Sequence, residues 1–174
     1  LDPVDYNSYA VLYFSSLYSG QVDDAEHYLN ERKRIFGQHH AIISMEIRLN
    51  FAQGEFEKVV QQCDSLVNGK ASLDALELSL LARAYLKLNR LIDSEMVFKQ
   101  LKAMVSNGSK EACFPIAMIY ADRHEIDSCF AYLEMANKRR EQIFRTYKIE
   151  PVLKDLHKDP RYIKLYQDSG FDKY

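Results

Sequence analysis

Apolar residues recur along this chain at intervals of three and four. Tyr9, Leu12, Tyr13, Ser16 and Leu17 fall on one helical face, as do Ile43, Ile47, Asn50 and Phe51, and Leu78, Leu81, Ala82, Tyr85 and Leu86. That period is helical, because a half-buried strand alternates every second residue. Gly20, Gly37, Gly54, Gly69 and Gly108 punctuate the chain between stretches of helical length. No run of alternating β-branched residues bounded by turn signals occurs, so the chain reads as all-α.

The predicted helices pair, and the pairs repeat. Short turns fall at Ser19-Gly20-Gln21, Gln53-Gly54-Glu55, Leu88-Asn89-Arg90 and Arg123-His124-Glu125, with successive spacings of 34, 35 and 35 residues. Such a period marks helix–turn–helix repeats, in which each hairpin needs a neighbour to cover its apolar face. Glycine or asparagine at three of the four turns suits a left-handed backbone, and histidine tolerates one better than a branched residue does. Five residues after each turn come Ala25, Val59, Ser94 and Cys129, small or modest side chains where two helices must cross closely. Nine after come Leu29, Cys63, Phe98 and Leu133; twelve after come Arg32, Leu66, Leu101 and Ala136. Seven before come Tyr13, Ile47, Ala82 and Ala117, and four before come Ser16, Asn50, Tyr85 and Tyr120.

In this register the chain resembles the tetratricopeptide repeat family. The resemblance rests on Leu81-Ala82-x-x-Tyr85 with Phe98, on Ile116-Ala117-x-x-Tyr120 with Ala136, and on the turn Gly54-Glu55-Phe56-Glu57-Lys58-Val59. The first two repeats depart from the family pattern, with Tyr13 and Ile47 at the usual small position and Glu46 where leucine is usual. The resemblance implies a right-handed α-α superhelix, a solenoid of about four hairpins. They span about 6–37, 40–70, 75–108 and 110–142, with 1–5 closing an earlier repeat and 143–174 forming a C-terminal cap. Leu1-Asp2-Pro3 looks like the end of such an earlier repeat, so the chain is expected to be the C-terminal part of a longer array.

The tail breaks the pattern at Pro151 and Pro160. Asp159 can cap a helix opening at Pro160, and Gly170 can end it. The stretch from Glu150 to Tyr162, with its Asp159-Pro160-Arg161-Tyr162, is similar to tails that follow tetratricopeptide arrays in bacterial multidomain signalling proteins. Ala131-Tyr132-Leu133-Glu134-x-Ala136 fits the same pattern. Ile163, Leu165, Tyr166 and Phe171 are expected to cover the last repeat.

Composition narrows the class of work. The 174 residues carry 23 Lys+Arg against 25 Asp+Glu, a net of −2, which excludes a simple electrostatic grip on nucleic acid or anionic lipid. A hydrophobic share of 47% is too high for disorder, and no apolar run reaches about 18 residues, so no membrane insertion is expected. Cys63, Cys113 and Cys129 are an odd number without C-x-x-C pairing and read as buried, inert thiols. They fit a reducing compartment, which favours the cytoplasm, with the periplasm as the alternative.

Signatures of chemistry do not form. His124-Glu125 opens H-E-x-x-H, but Ser128 stands at the closing position. His39 and His40 are adjacent and diverge by about 100° on a helix. No phosphate-binding glycine loop and no G-x-S-x-G elbow occurs. Asp23, Asp24, Glu55 and Glu57 sit at helix starts, where carboxylates suit the dipole. Lys138-Arg139-Arg140 reads as a solvated face, and most of the twelve tyrosines fall at packing positions. No catalytic residue, metal or cofactor is predicted.

What is left is the groove that the resemblance implies along the first helix of each hairpin. Carried over by register, its lining is Phe14, Leu17, Arg48, Phe51, Arg83, Leu86, Phe114 and Met118. Guanidinium groups bind carboxylates in a bidentate fork and stack on aromatic rings. An extended or helical peptide with an acidic group near Arg48 and Arg83 is therefore the expected partner, unless both arginines pair with Glu46 or Glu111 or face water. The lysine and paired asparagines of chaperone-binding arrays are absent, so a chaperone C-terminus is not the expected ligand. The function expected is a non-catalytic protein–protein scaffold closing a larger bacterial signalling or regulatory protein. The alternative is an intramolecular or self-associating regulatory arm; a small all-α enzyme is the remoter one.

Overall fold

A computed structural model describes residues 6–170, so the readings placed on Leu1-Asp2-Pro3 and Phe171 lie outside the described residues. The described chain is all-helical, without a strand. Its elements are α1 (Tyr6–Tyr18), α2 (Val22–Phe36), α3 (His40–Ala52), α4 (Phe56–Asn68), α5 (Ala75–Lys87), α6 (Leu91–Ser106), α7 (Cys113–Asp122) and α8 (Ile126–Arg139). Two short 3-10 helices, Gln142–Thr146 and Pro151–Leu156, lead to α9 (Pro160–Asp168). No helix among the described residues is long and apolar enough to cross a membrane.

The four predicted turns share one backbone geometry. Gly20, Gly54, Asn89 and His124 all have positive φ, between 58° and 78°. In each turn the N–H after that residue reaches back five residues, at 2.9, 2.8, 2.8 and 2.9 Å, to the carbonyls of Ser16, Asn50, Tyr85 and Tyr120. The turn residue's own N–H reaches back three, at 3.0–3.1 Å. This paired closure satisfies carbonyls that a helix end leaves open. α4, α6 and α8 end with the same paired closure, but not always where glycine suggests, while α2 ends at Gly37 in a different conformation, φ 75° and ψ −178°. After α4 the left-handed residue is Lys70, φ 64°, while Gly69 has φ −74°. After α8 it is Arg140, φ 55°. Burial follows the register: the residues five and nine after each turn, and seven before it, are all buried.

The chain divides into two compact units. One holds the residues up to Leu73 together with Ala84–Arg90; the other holds Asp74–Arg83 and the residues from Leu91 onward. In the first unit α1 packs on α2, α2 on α3 and α3 on α4. Its core joins Tyr13, Ala25, Leu29, Ile42, Met45 and Leu49. Tyr13 is wholly buried, and its hydroxyl donates to the Met45 carbonyl at 2.6 Å. A buried hydroxyl needs such a partner, and this one joins α1 to α3.

In the second unit α7 packs on α6 and α8, and every residue of α7 from Cys113 to Ala121 is buried. Pro115 supplies no N–H to the first turn of α7. The two donors beside it, the backbone N–H groups of Cys113 and Phe114, point to the two carboxylate oxygens of buried Glu141 at 2.9 and 2.8 Å. Glu111 returns the arrangement by accepting from the Gln142 N–H at 3.1 Å. The chain leaving α8 is thereby directed back over α7, where Phe144 meets Phe114 edge-on at 5.8 Å.

Each residue of Asp159-Pro160-Arg161-Tyr162 has a structural task. Asp159 caps α9 by accepting from the Arg161 N–H at 2.9 Å, with Pro160 opening the helix. Arg161 reaches Asp127 on α8 at 2.7 Å and lies over the Phe130 ring at 4.2 Å. Tyr162 stacks on Tyr147 at 4.3 Å, and each tyrosine hydroxyl donates to the other's carbonyl, at 3.1 and 3.3 Å. Gly170 has φ 76° just past the helix, as expected. The expected covering set needs correction. Leu165 is buried and Tyr166 half-buried, but Ile163 is 48% exposed. The cap at Asp159 sets the helical phase, so Tyr162, Leu165 and Tyr166 share the inner face and Ile163 turns about 100° away.

Candidate functional site

The sequence singled out one series of positions on α1, α3, α5 and α7, and the structure places its members in very different surroundings. Phe14 and Leu17 on α1 are half-buried and pack on the first unit's core. Arg48, one hairpin on, lies on α3 with its guanidinium carbon 5.3 Å from the centre of the Phe14 ring. Phe51, one turn further along α3, meets Phe56 edge-on at 5.4 Å. Phe14, Arg48 and Phe51 therefore belong to one face of the first unit, built from α1 and α3.

Arg48 is the chemically distinctive group of that face. It is half-buried, and its Nε is shielded from solvent with no hydrogen-bond partner among the described residues. Glu46 is not its counter-ion: that carboxylate holds Lys33 at 2.7 Å and Gln38 at 3.1 Å. Burial pushes the Tyr13 hydroxyl far above the ordinary tyrosine range, and the nearby Arg48 charge pulls it the other way. Arg48 thus combines an aromatic contact with a shielded donor that no described residue accepts.

Arg83 differs from the expectation. It is buried, 7% exposed, and its guanidinium is ion-paired with Asp122 inside the second unit. Neither Glu46 nor Glu111 is involved. The register explains the contrast between the two arginines. Asp122 stands two residues before its turn, in the hairpin that follows Arg83; the equivalent residue in the hairpin that follows Arg48 is Lys87, which offers no carboxylate. That complementarity was present in the sequence and is the signal that identifies Asp122.

Phe114 and Met118 also leave the expected lining, being 0% and 1% exposed. The returning tail covers α7, so these side chains are core. Leu86 is half-buried within the first unit. Ser79, at the corresponding position of α5, is buried and donates to the Pro115 carbonyl at 2.8 Å.

The remaining chemistry is that of packing. Cys63, Cys113 and Cys129 are buried free thiols. Burial pushes Cys113 and Cys129 up to about 12, helped at Cys113 by the Glu141 carboxylate beside it. Such thiols are poor nucleophiles at neutral pH. No group of three or more His, Cys, Asp or Glu among the described residues could hold a metal ion. Comparison with family models, with curated proteins and with solved structures found no match to this chain.

Proposed function

We propose that this chain is a non-catalytic interaction module of tetratricopeptide-like hairpins, stacked as a solenoid, that binds a peptide segment on the α1/α3 face. The observation that carries the reading is Arg48, half-buried on the Phe14 ring with a shielded and unsatisfied Nε. An aspartate, glutamate or terminal carboxylate beside the guanidinium would neutralise its charge, while Phe14 and Leu17 supply apolar contact. The recurring turn geometry and burial register support the repeat character. Arg83, Phe114 and Met118 are omitted from the proposed lining, which keeps Phe14, Leu17, Arg48, Phe51 and Leu86. The module is read as part of a larger bacterial signalling or regulatory protein, as the tail resemblance implies.

Selection of random peptides on the immobilised protein tests this. Enrichment of segments with an acidic residue next to an apolar one is expected, and loss of that enrichment with Arg48→Ala protein. Enriched peptides without acidic residues would overturn the reading.

A further inference from the structure

The second helices of the four hairpins carry an internal control for surface residues. Three residues after each turn, at an exposed position in the first helical turn, stand Asp23, Glu57, Ile92 and Asp127. A carboxylate is the expected residue there, because it complements the positive end of the helix. Ile92 breaks that rule and is 79% exposed. Seven after the turn stand His27, Gln61, Met96 and Ala131, and Met96 is 56% exposed. Leu91, beside them, is 59% exposed, whereas its equivalents Val22, Phe56 and Ile126 are half-buried. The large exposed apolar side chains of the four second helices therefore concentrate at the start of α6. A patch of this kind marks an interaction surface rather than a scattered exposed residue.

Spacing and charge point to the occupant. The outward stripe of α6 runs Ile92, Met96, Lys99 and Ala103, with steps of four, three and four. Those steps put the four side chains on one face of α6, as along a seam with a second helix, with Lys99 as its single charged member. The stripe is polarised: Asp93 and Glu95 flank its first half, and Lys99 and Lys102 lie in its second. Two antiparallel copies of α6 would set the acidic half of each against the basic half of the other. They would also place bulky Ile92 near small Ala103 of the second copy. Glu95 already meets Arg123 at 3.1 Å, and Lys102 lies over the Phe98 ring at 4.5 Å, so both are held at the margins of the seam.

We propose that α6 is a self-association surface, on which two copies of the chain pack antiparallel through Ile92 and Met96. Only Leu91, Ile92 and Met96 supply large apolar contact on α6, so the dimer is expected to be weak and to depend on concentration. This proposal is independent of the α1/α3 face and of Arg48.

Sedimentation equilibrium from about 10 µM to 1 mM tests it. The expected result is a monomer–dimer equilibrium that Ile92→Asp shifts to the monomer by at least about tenfold in Kd. Ile92→Asp restores the residue type of the other hairpins, so the fold should be kept, and circular dichroism checks this. Lys99→Glu and Asp93→Lys proteins should each self-associate less than wild type, and a mixture of the two should recover dimer. A chain that stays monomeric throughout the range, leaving the stripe to a different protein, overturns the proposal. So does a dimer that Ile92→Asp leaves unchanged.

Discussion

Replacing Glu141 by glutamine changes one atom of a side chain that is 3% exposed, yet it should destabilise the second unit substantially. Both carboxylate oxygens are in use, one on the Cys113 N–H at 2.9 Å and the other on the Phe114 N–H at 2.8 Å. The N-cap residue of α7, Ala112, makes no side-chain cap, so Glu141 takes over that role from 28 residues away. A glutamine keeps one oxygen and turns an NH2 toward the other backbone N–H. One charged hydrogen bond becomes neutral, which loses about 1 kcal/mol, and one buried donor is left unsatisfied, at about 1–3 kcal/mol. Loss of negative charge at the helix start adds about 0.3–1 kcal/mol. The sum is about 2–5 kcal/mol, and Glu141→Ala should cost at least as much. Urea unfolding followed by circular dichroism reads the total. Amide hydrogen exchange at Cys113 and Phe114 reads it locally, with both amides exchanging faster than in wild type. A Glu141→Gln protein within about 0.5 kcal/mol of wild type, with both amides still protected, would refute the reasoning.

Arg83→Ala should destabilise by about 3–5 kcal/mol, since it strands the Asp122 carboxylate in a buried site, while Arg83→Met with Asp122→Leu should recover most of the loss; urea titration of both proteins decides between a buried pair and an exposed one. His124→Gly should stabilise by about 0.5–1 kcal/mol, the left-handed penalty relieved less the entropy of glycine, and a lower melting temperature would contradict the turn geometry. Stability should fall at alkaline pH. Below pH 9 the buried thiols of Cys113 and Cys129 are protonated in both states; above it the unfolded chain releases their protons first. The folded protein holds them up to about 12, so each thiol withdraws up to about 1.4 kcal/mol per pH unit over that window. Serine at both positions should flatten the slope of denaturation midpoint against pH.

The hairpin pattern was legible because it is local. A residue in a left-handed turn and a small residue five positions on are set by backbone sterics and by the crossing of two neighbouring helices. Gly20, Gly54, Asn89 and His124 therefore stand where the spacing placed them. α4 ends at Asn68, with Gly69 next to it as the spacing suggested, although the positive φ falls on Lys70. What was not legible depends on which distant residues meet. Arg83 looked like Arg48 in the register, and only a carboxylate 39 residues later separates a buried ion pair from an unsatisfied guanidinium. Met118 carried the same register as Phe14, and Phe114 the register of Ala10. Their burial follows from the tail, whose path is set by Glu141 and by the Tyr147–Tyr162 clasp. Glu141 itself followed Lys138-Arg139-Arg140 and looked like one more surface charge.

A binding cycle on Arg48 tests the central claim most directly. An acidic peptide enriched on the wild-type protein is titrated against wild type and Arg48→Ala, and its acidic residue is replaced by the corresponding amide in a parallel series. The account predicts that either change alone weakens binding by about 1–3 kcal/mol, roughly 5- to 150-fold, and that the second change then adds little. Equal affinities for wild type and Arg48→Ala, or fully additive losses, would contradict it.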